Sequence, residues 1–201
     1  MIQKTIPFFL FFVITLVHLS AEPGNWSFAL ETAPEAAVKK DARFTAKSQL
    51  GLAGDLYLSY DFNDSWFLQT GIGYSIFRPS GAGSDWVSYR GFSSFYFGAG
   101  LGIYFPSPAP SLNVLDRAAF EPGVTLRGFA GLGKYTYTDI YFFYPIIEVE
   151  PFVRVFSFFD DYLELRTGLP LSWNFQRDLD LFFTFGFSVS AVLYLPSYST
   201  R

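Results

Sequence analysis

Leu179-Asp180-Leu181-Phe182-Phe183-Thr184-Phe185-Gly186-Phe187-Ser188-Val189-Ser190-Ala191-Val192-Leu193-Tyr194-Leu195 is the stretch whose reading decides the fold. Every odd position in it is apolar: Leu179, Leu181, Phe183, Phe185, Phe187, Val189, Ala191, Leu193 and Leu195. The even positions are mostly small or polar, with Asp180, Thr184, Gly186, Ser188 and Ser190 among them. A period of two is the signature of a β-strand with two unlike faces. Ordinary strands average about 5–6 residues, so a strand this long belongs to an unusual sheet.

The same alternation runs outward from this stretch. Leu163, Leu165, Thr167, Leu169, Leu171 and Trp173 oppose Tyr162, Glu164, Arg166, Gly168, Pro170 and Ser172. Further back, Leu50, Leu52, Leu56 and Leu58 oppose Gly51, Ala53, Asp55, Tyr57 and Ser59, and Phe95, Phe97, Leu101 and Ile103 oppose Ser94, Tyr96, Gly98, Gly100 and Gly102. Followed along the whole chain, the pattern predicts eight strands near 25–33, 49–61, 65–78, 89–105, 123–138, 146–158, 161–174 and 179–195. The turns Asp61-Phe62-Asn63-Asp64 and Phe159-Asp160-Asp161 are short and on one side; loops 34–48, 79–88, 139–145 and 175–178 fall on the other. The Pro-rich connection 106–122 is long for a chain of otherwise tight turns on its side.

Half of the chain is hydrophobic and 21% is aromatic, yet no apolar run after residue 21 is long enough for a spanning helix. The hydrophobicity is spread by the strand period instead. Only 16% of residues are charged, whereas the water-facing surface of a soluble domain carries about 25–35%. The polar faces hold chiefly Gly, Ser, Thr and Tyr, which suit the narrow interior of a barrel, so the apolar faces point to lipid. Lipid exposure demands closure, because an open edge leaves backbone polar groups in hydrocarbon. Eight strands close around an interior just wide enough for side chains, which explains the glycines at 71, 73, 98, 100, 102, 131 and 133. The expected class is therefore all-β, a closed antiparallel up-and-down transmembrane barrel of eight strands. Trp26, Trp66, Tyr104, Tyr162, Trp173 and Tyr194, near strand ends, are candidates for interfacial aromatic girdles. A soluble lipocalin-like lipid binder, with the facing inverted, is the alternative that the low charge disfavours.

Ahead of the strands, Lys4, an apolar stretch from Ile6 to Val17 and the small-residue end Leu19-Ser20-Ala21 read as a secretory signal peptide, residues 1–21, followed by the barrel domain, 22–201. Removing Lys4 leaves 13 basic against 18 acidic residues, a poor balance for nucleic acid. There is no cysteine, and the single histidine, His18, lies in the signal. The usual zinc ligands and the usual neutral-pH general base are thus missing from the mature chain, so no metal, no cofactor and no catalytic residue is expected.

The strand count, the alternation and the turn asymmetry resemble the eight-stranded outer-membrane barrels of the OmpA, OmpX and OmpW type. The resemblance implies the outer membrane of a diderm bacterium, with outer-membrane lipids, the barrel assembly machinery and periplasmic chaperones as partners. Members of that type end on a strand with a terminal aromatic residue; here Pro196-Ser197-Tyr198-Ser199-Thr200-Arg201 follows Tyr194.

On the inward parity lie Glu31, Asp55, Arg127, Glu148, Glu150, Arg154, Glu164 and Arg166. Charges of both signs in one narrow space are expected to pair, plugging the lumen and fixing register. A sharper alternative is a gate, in which exchange of Arg–Glu partners opens a path for ions or small solutes. If the pair is buried, Arg166→Ala is expected to cost about 3–5 kcal/mol. In loop 34–48, Lys39, Lys40, Arg43 and Lys47 form a basic cluster suited to anionic lipid headgroups or host-surface polymers, or simply to solvation. The function expected is structural or surface interaction around a filled lumen, with a narrow channel as the alternative.

Overall fold

The structure, a computed structural model, describes residues 26–40, 46–63, 65–78, 91–105, 121–135, 139, 141–158, 163–175 and 182–195. The signal peptide, the connection 106–120, the turn at 159–162 and the last six residues lie outside the described residues. Ten strand segments appear: β1 Trp26–Lys40, β2 Ala46–Asp61, β3 Trp66–Phe77, β4 Phe92–Tyr104, β5 Glu121–Tyr135, β6 Tyr141–Phe158, β7 Leu163–Gly168, β8 Leu171–Asn174, β9 Phe182–Gly186 and β10 Ser188–Tyr194. Neighbours pair antiparallel in chain order from β1 to β6, and β6 pairs with both β7 and β8. The ring then closes, because β1 pairs with β2 on one side and with β9 and β10 on the other.

These ten segments are eight staves. Register runs on across the breaks: Gly168 lies opposite Ser188 and Leu171 opposite Phe185, while Thr32 lies opposite Val189 and Glu35 opposite Gly186. Proline causes the interruptions. Leu169 N–H donates to Pro151 O at 2.9 Å, Gly186 N–H to Pro170 O at 3.0 Å and Phe187 N–H to Pro34 O at 3.2 Å. None of the three prolines has an N–H to give back, so each of these pairs keeps one of its two ladder bonds.

The faces divide as the alternation requires. Leu30, Leu50 and Leu126 on the outside are 65%, 74% and 56% exposed, and Phe95, Phe97, Phe185, Phe187 and Leu193 stand out beside them. An apolar surface of this extent is at home in hydrocarbon, and the closed ladder leaves no strand edge within it. Inside, aromatic rings fill the lumen at two levels. Phe67, Tyr104 and Phe152 pack together near the end that carries the Asn63 turn, here the near end. Tyr57, Phe77, Phe92, Tyr96, Phe129 and Tyr144 occupy the middle and the opposite, far end. At the near end Asn63 Oδ1 accepts the Ser65 and Trp66 N–H groups, both at 2.9 Å, so the expected tight turn is an Asx turn.

Glycine makes the interior fit. A Cβ on Gly98 would strike the carbonyl oxygen of Gly128, and one on Gly102 would enter the Phe67 ring.

Two expected loops are instead strand. Residues 34–40 extend β1 and 46–48 begin β2, so the connection between them shrinks to 41–45. Residues 141–145 belong to β6. In both places the contrast between faces fades: Pro34 interrupts the outward face while Ala33, Ala36 and Ala37 put small residues on both, and from Tyr141 to Tyr144 both faces are aromatic. Two girdle assignments also fail. Tyr104 is buried in the lumen, and Tyr194 turns its hydroxyl to the luminal Arg166 and Glu164, because both residues share the inward parity of their strands. Trp66 does face outward, and Tyr162 lies outside the described residues.

Candidate functional site

The centre of the lumen is built around Arg127. Strand β5 presents it inward between Thr125 and Phe129, where it is 4% exposed. Its Nη1 lies 2.7 Å from Glu148 Oε1 and 3.4 Å from Glu31 Oε1, and its Nη2 lies 2.5 Å from Glu150 Oε2. Turned with its amide oxygen toward the guanidinium, Gln69 accepts from Arg127 Nε at 2.7 Å. The guanidinium also sits 4.4 Å over the Tyr57 ring. One side chain on β5 therefore binds groups from β1, β2, β3 and β6, across the lumen as well as along the wall.

The carboxylates are held in turn. Ser172 Oγ donates to Glu148 Oε2 at 2.7 Å, Ser188 Oγ donates to Glu150 Oε1, and Thr125 Oγ1 donates to Glu150 Oε2 at 3.4 Å. These hydroxyls on β5, β8 and β10 occupy the small polar positions opposite the leucines and phenylalanines of the outer face. The strand period thus places lipid-facing and network-forming residues in a single pattern. Asp55, on β2 opposite Glu31, hydrogen-bonds Tyr96 through its side chain.

A second cluster closes the near end. Arg154 Nη1 meets Glu121 Oε2 at 2.9 Å and its Nη2 meets Glu164 Oε1 at 2.8 Å, while Arg166 Nη2 meets Glu164 Oε2 at 3.1 Å. Tyr194 Oη is 2.9 Å from Arg166 Nη2 and 3.1 Å from Glu164 Oε2. The Arg166 guanidinium stacks among the rings of Phe67, Tyr104 and Phe152 at 5.2–5.6 Å, and that of Arg154 lies 4.9 Å from Tyr104. Such rings favour a cation that is partly desolvated.

All eight inward charges expected from the parity therefore occupy the lumen, in two groups: Glu31, Asp55, Arg127, Glu148 and Glu150 at the centre, Arg154, Glu164 and Arg166 at the near end. Parity puts Tyr57 and the serines on the inward face without marking them as partners of these charges, and it singles out neither Gln69 nor Glu35, the latter in the expected loop 34–48. Of the basic cluster, the backbone register sets Lys39 opposite Lys47 and Lys40 opposite Ala46, and Arg43 lies outside the described residues. At the far end Lys134 pairs with Asp139 at 3.0 Å, in solvent; this hydrogen bond, foremost, lifts the ammonium above its ordinary range. No group of three or more acidic residues has metal-binding geometry among the described residues.

No family model matches the chain, and no curated protein matches it. Among solved structures, Neisserial surface protein A (NspA) superposes with a TM-score of 0.63 at 13% sequence identity, covering 87% of this chain and 99% of that one. The attachment invasion locus protein Ail of Yersinia pestis aligns over 86% of this chain and 100% of its own, at 11% identity and a TM-score of 0.44. At such identities the likeness to NspA is one of architecture, and it agrees with the strand pairing: the chain has the fold of the eight-stranded outer-membrane β-barrels.

Proposed function

We propose that this chain is an integral outer-membrane protein with a side-chain-filled lumen and a structural or surface-interaction role, not an enzyme. One observation carries the reading: Arg127 is bound at once to Glu31, Glu148 and Glu150, which ties opposite walls of the barrel together at mid-height. Outer-membrane lipids surround the apolar belt, and the barrel assembly machinery and periplasmic chaperones deliver the chain to the membrane after signal-peptide cleavage. The far end faces outward, carrying the basic residues Lys39, Lys40, Arg43 and Lys47 toward lipid headgroups or an anionic host-surface ligand.

A second reading has its own support. Arg127 faces three carboxylates and Glu164 faces two arginines, so alternative partners are already in reach for a gate that passes ions or small solutes. Gel mobility before and after boiling, with circular dichroism in detergent and in plain buffer, tests the membrane barrel. A heat-dependent shift and a β spectrum only in detergent are expected; a folded protein without detergent overturns the facing. Planar-bilayer recording then separates the two readings. A filled lumen gives no unitary conductance, whereas a gate gives steps that change in Glu164→Gln.

A further inference from the structure

Charge is nearly absent from the lipid-facing side of the wall, and what there is lies at one end. Among the residues there whose side chains are described, the charged ones are Arg78 and Lys134, both cations and both at the far rim. Arg78 directly follows β3, and its N–H donates to Leu50 O at 3.0 Å, so the ladder continues and keeps Arg78 on the outward parity, exposed. Lys134 takes the outward parity at the end of β5, where register sets it in one row with Ser93 of β4 and Ile76 of β3. Arg78 is thus two staves away and one outward step further on, about 12 Å between backbone positions. Ser93 adds a hydroxyl on the stave between them. At the near rim the outward positions are held by Phe62, Trp66 and Phe105 instead. Lys134 has Asp139 at 3.0 Å, but this acid is 97% exposed, and so open a pair exchanges readily for a stronger anion.

Below the two cations the same arc of wall is hollowed. A groove of about 310 Å³ is lined by Phe28, Leu56, Leu58, Thr70, Ile72 and Phe97, among others. It opens because Thr70 is short and stands in register between Leu58 and another small residue, Ala99. The Thr70 hydroxyl donates to Gly98 O at 3.0 Å, so the floor offers hydrocarbon no unpaired hydroxyl. Arg78 and Ile72 are six residues apart on one stave. That is about 20 Å along a strand and about 15 Å in depth at the tilt of a membrane barrel. Half of a hydrocarbon layer of about 30 Å is the same distance. A chain rooted at the far rim therefore ends at the groove.

From the two rim cations and the apolar groove one leaflet below them, we infer that the outer wall of β3–β5 holds one phosphate-bearing lipid, its headgroup between Arg78 and Lys134 and one acyl chain in the groove over Thr70. The guanidinium and the ammonium donate charge-assisted hydrogen bonds to the phosphate oxygens, and the Ser93 hydroxyl lies within the same headgroup. The site rests on the membrane reading above and goes beyond it, because a lipid belt needs no cations and no groove to form.

Native mass spectrometry of the refolded protein, released from neutral detergent and titrated with lipid, tests this. Three probes separate headgroup from chain: dimyristoylphosphatidic acid, dimyristoylphosphatidylcholine with the same chains, and dihexanoylphosphatidic acid with the same headgroup. One tightly held copy of the first is expected, with both others clearly weaker. Arg78→Gln and Lys134→Gln are each expected to weaken the long-chain phosphatidic acid about fivefold, the share of one cation near an anionic lipid, and to leave phosphatidylcholine unchanged. Asp139→Asn frees Lys134 and tightens phosphatidic acid. Thr70→Leu fills the groove, weakens the long-chain acid and leaves the short-chain one as it was. Equal binding of the three probes, or undiminished binding of long-chain phosphatidic acid after both rim cations are replaced, overturns the inference. Should Thr70→Leu fail to fold, the long and short phosphatidic acids on the unaltered protein decide the chain contact. A heat-dependent gel shift is required first of every sample: an unaltered chain without it fails as a membrane barrel, whereas one that shows it and does not discriminate the lipids fails this inference alone.

Discussion

Arg127 and Arg166 are both buried arginines on inward parity, yet their removal has different consequences. Arg127→Ala leaves Glu31, Glu148 and Glu150 without their shared cation, and a cost of about 3–5 kcal/mol follows for breaking a buried pair. Arg166→Ala leaves Glu164 still bound to Arg154 at 2.8 Å, so it is expected to cost less than that range. Urea unfolding of the two variants in lipid vesicles checks the order, and a larger loss for Arg166→Ala refutes it. The charged members of the site were legible in the sequence because parity alone assigns them to the lumen. Their partners were not. Which glutamate meets which arginine depends on the stagger of strands around the ring, and Arg127 reaches Glu31 from a strand four staves away. Tyr104 and Tyr194 show the same limit from the other side: a terminal tyrosine suits a membrane interface or a luminal hydrogen bond equally, and only its parity decides.

At the scale of the strand, the outward face of β5 provides a direct test of lipid exposure. Leu126 is 56% exposed at the level of Arg127, and an arginine in its place would stand in hydrocarbon. Leu126→Arg is expected to lower folding stability in bilayers by about 2–4 kcal/mol, whereas Phe62→Arg, beside the near-end turn, costs about 0–1. Equal costs at the two positions would place both at the same depth and contradict the belt. The inward face has its own test in β4. Gly98→Ala sets a methyl group against the Gly128 carbonyl oxygen, which the ladder holds in place, so folding yield should fall sharply in refolding assays followed by gel mobility. Strand existence was legible because the two faces differ in kind. Strand ends were not legible wherever both faces are aromatic, as at Tyr141–Tyr144, or wherever a proline and a charge mimic a loop, as at Pro34-Glu35.

The molecule as a whole is a hoop of eight staves closed by pairing the first with the last, and closure is the feature that alternation implied without locating. One feature of that hoop bears on how it deforms. Pro151, Leu169, Phe187 and Pro34 stand side by side across four consecutive staves, including the two that close the ring. Two of the pairings in that row retain a single ladder bond each, and the Pro170–Gly186 pairing beside it does likewise. In the mechanics of a thin shell, resistance to ovalisation comes from the circumferential ties, and here they are sparsest along one band of the wall. Any ovalisation that the packed lumen and the Arg127 tie permit is therefore expected to sharpen the curvature along the proline band first.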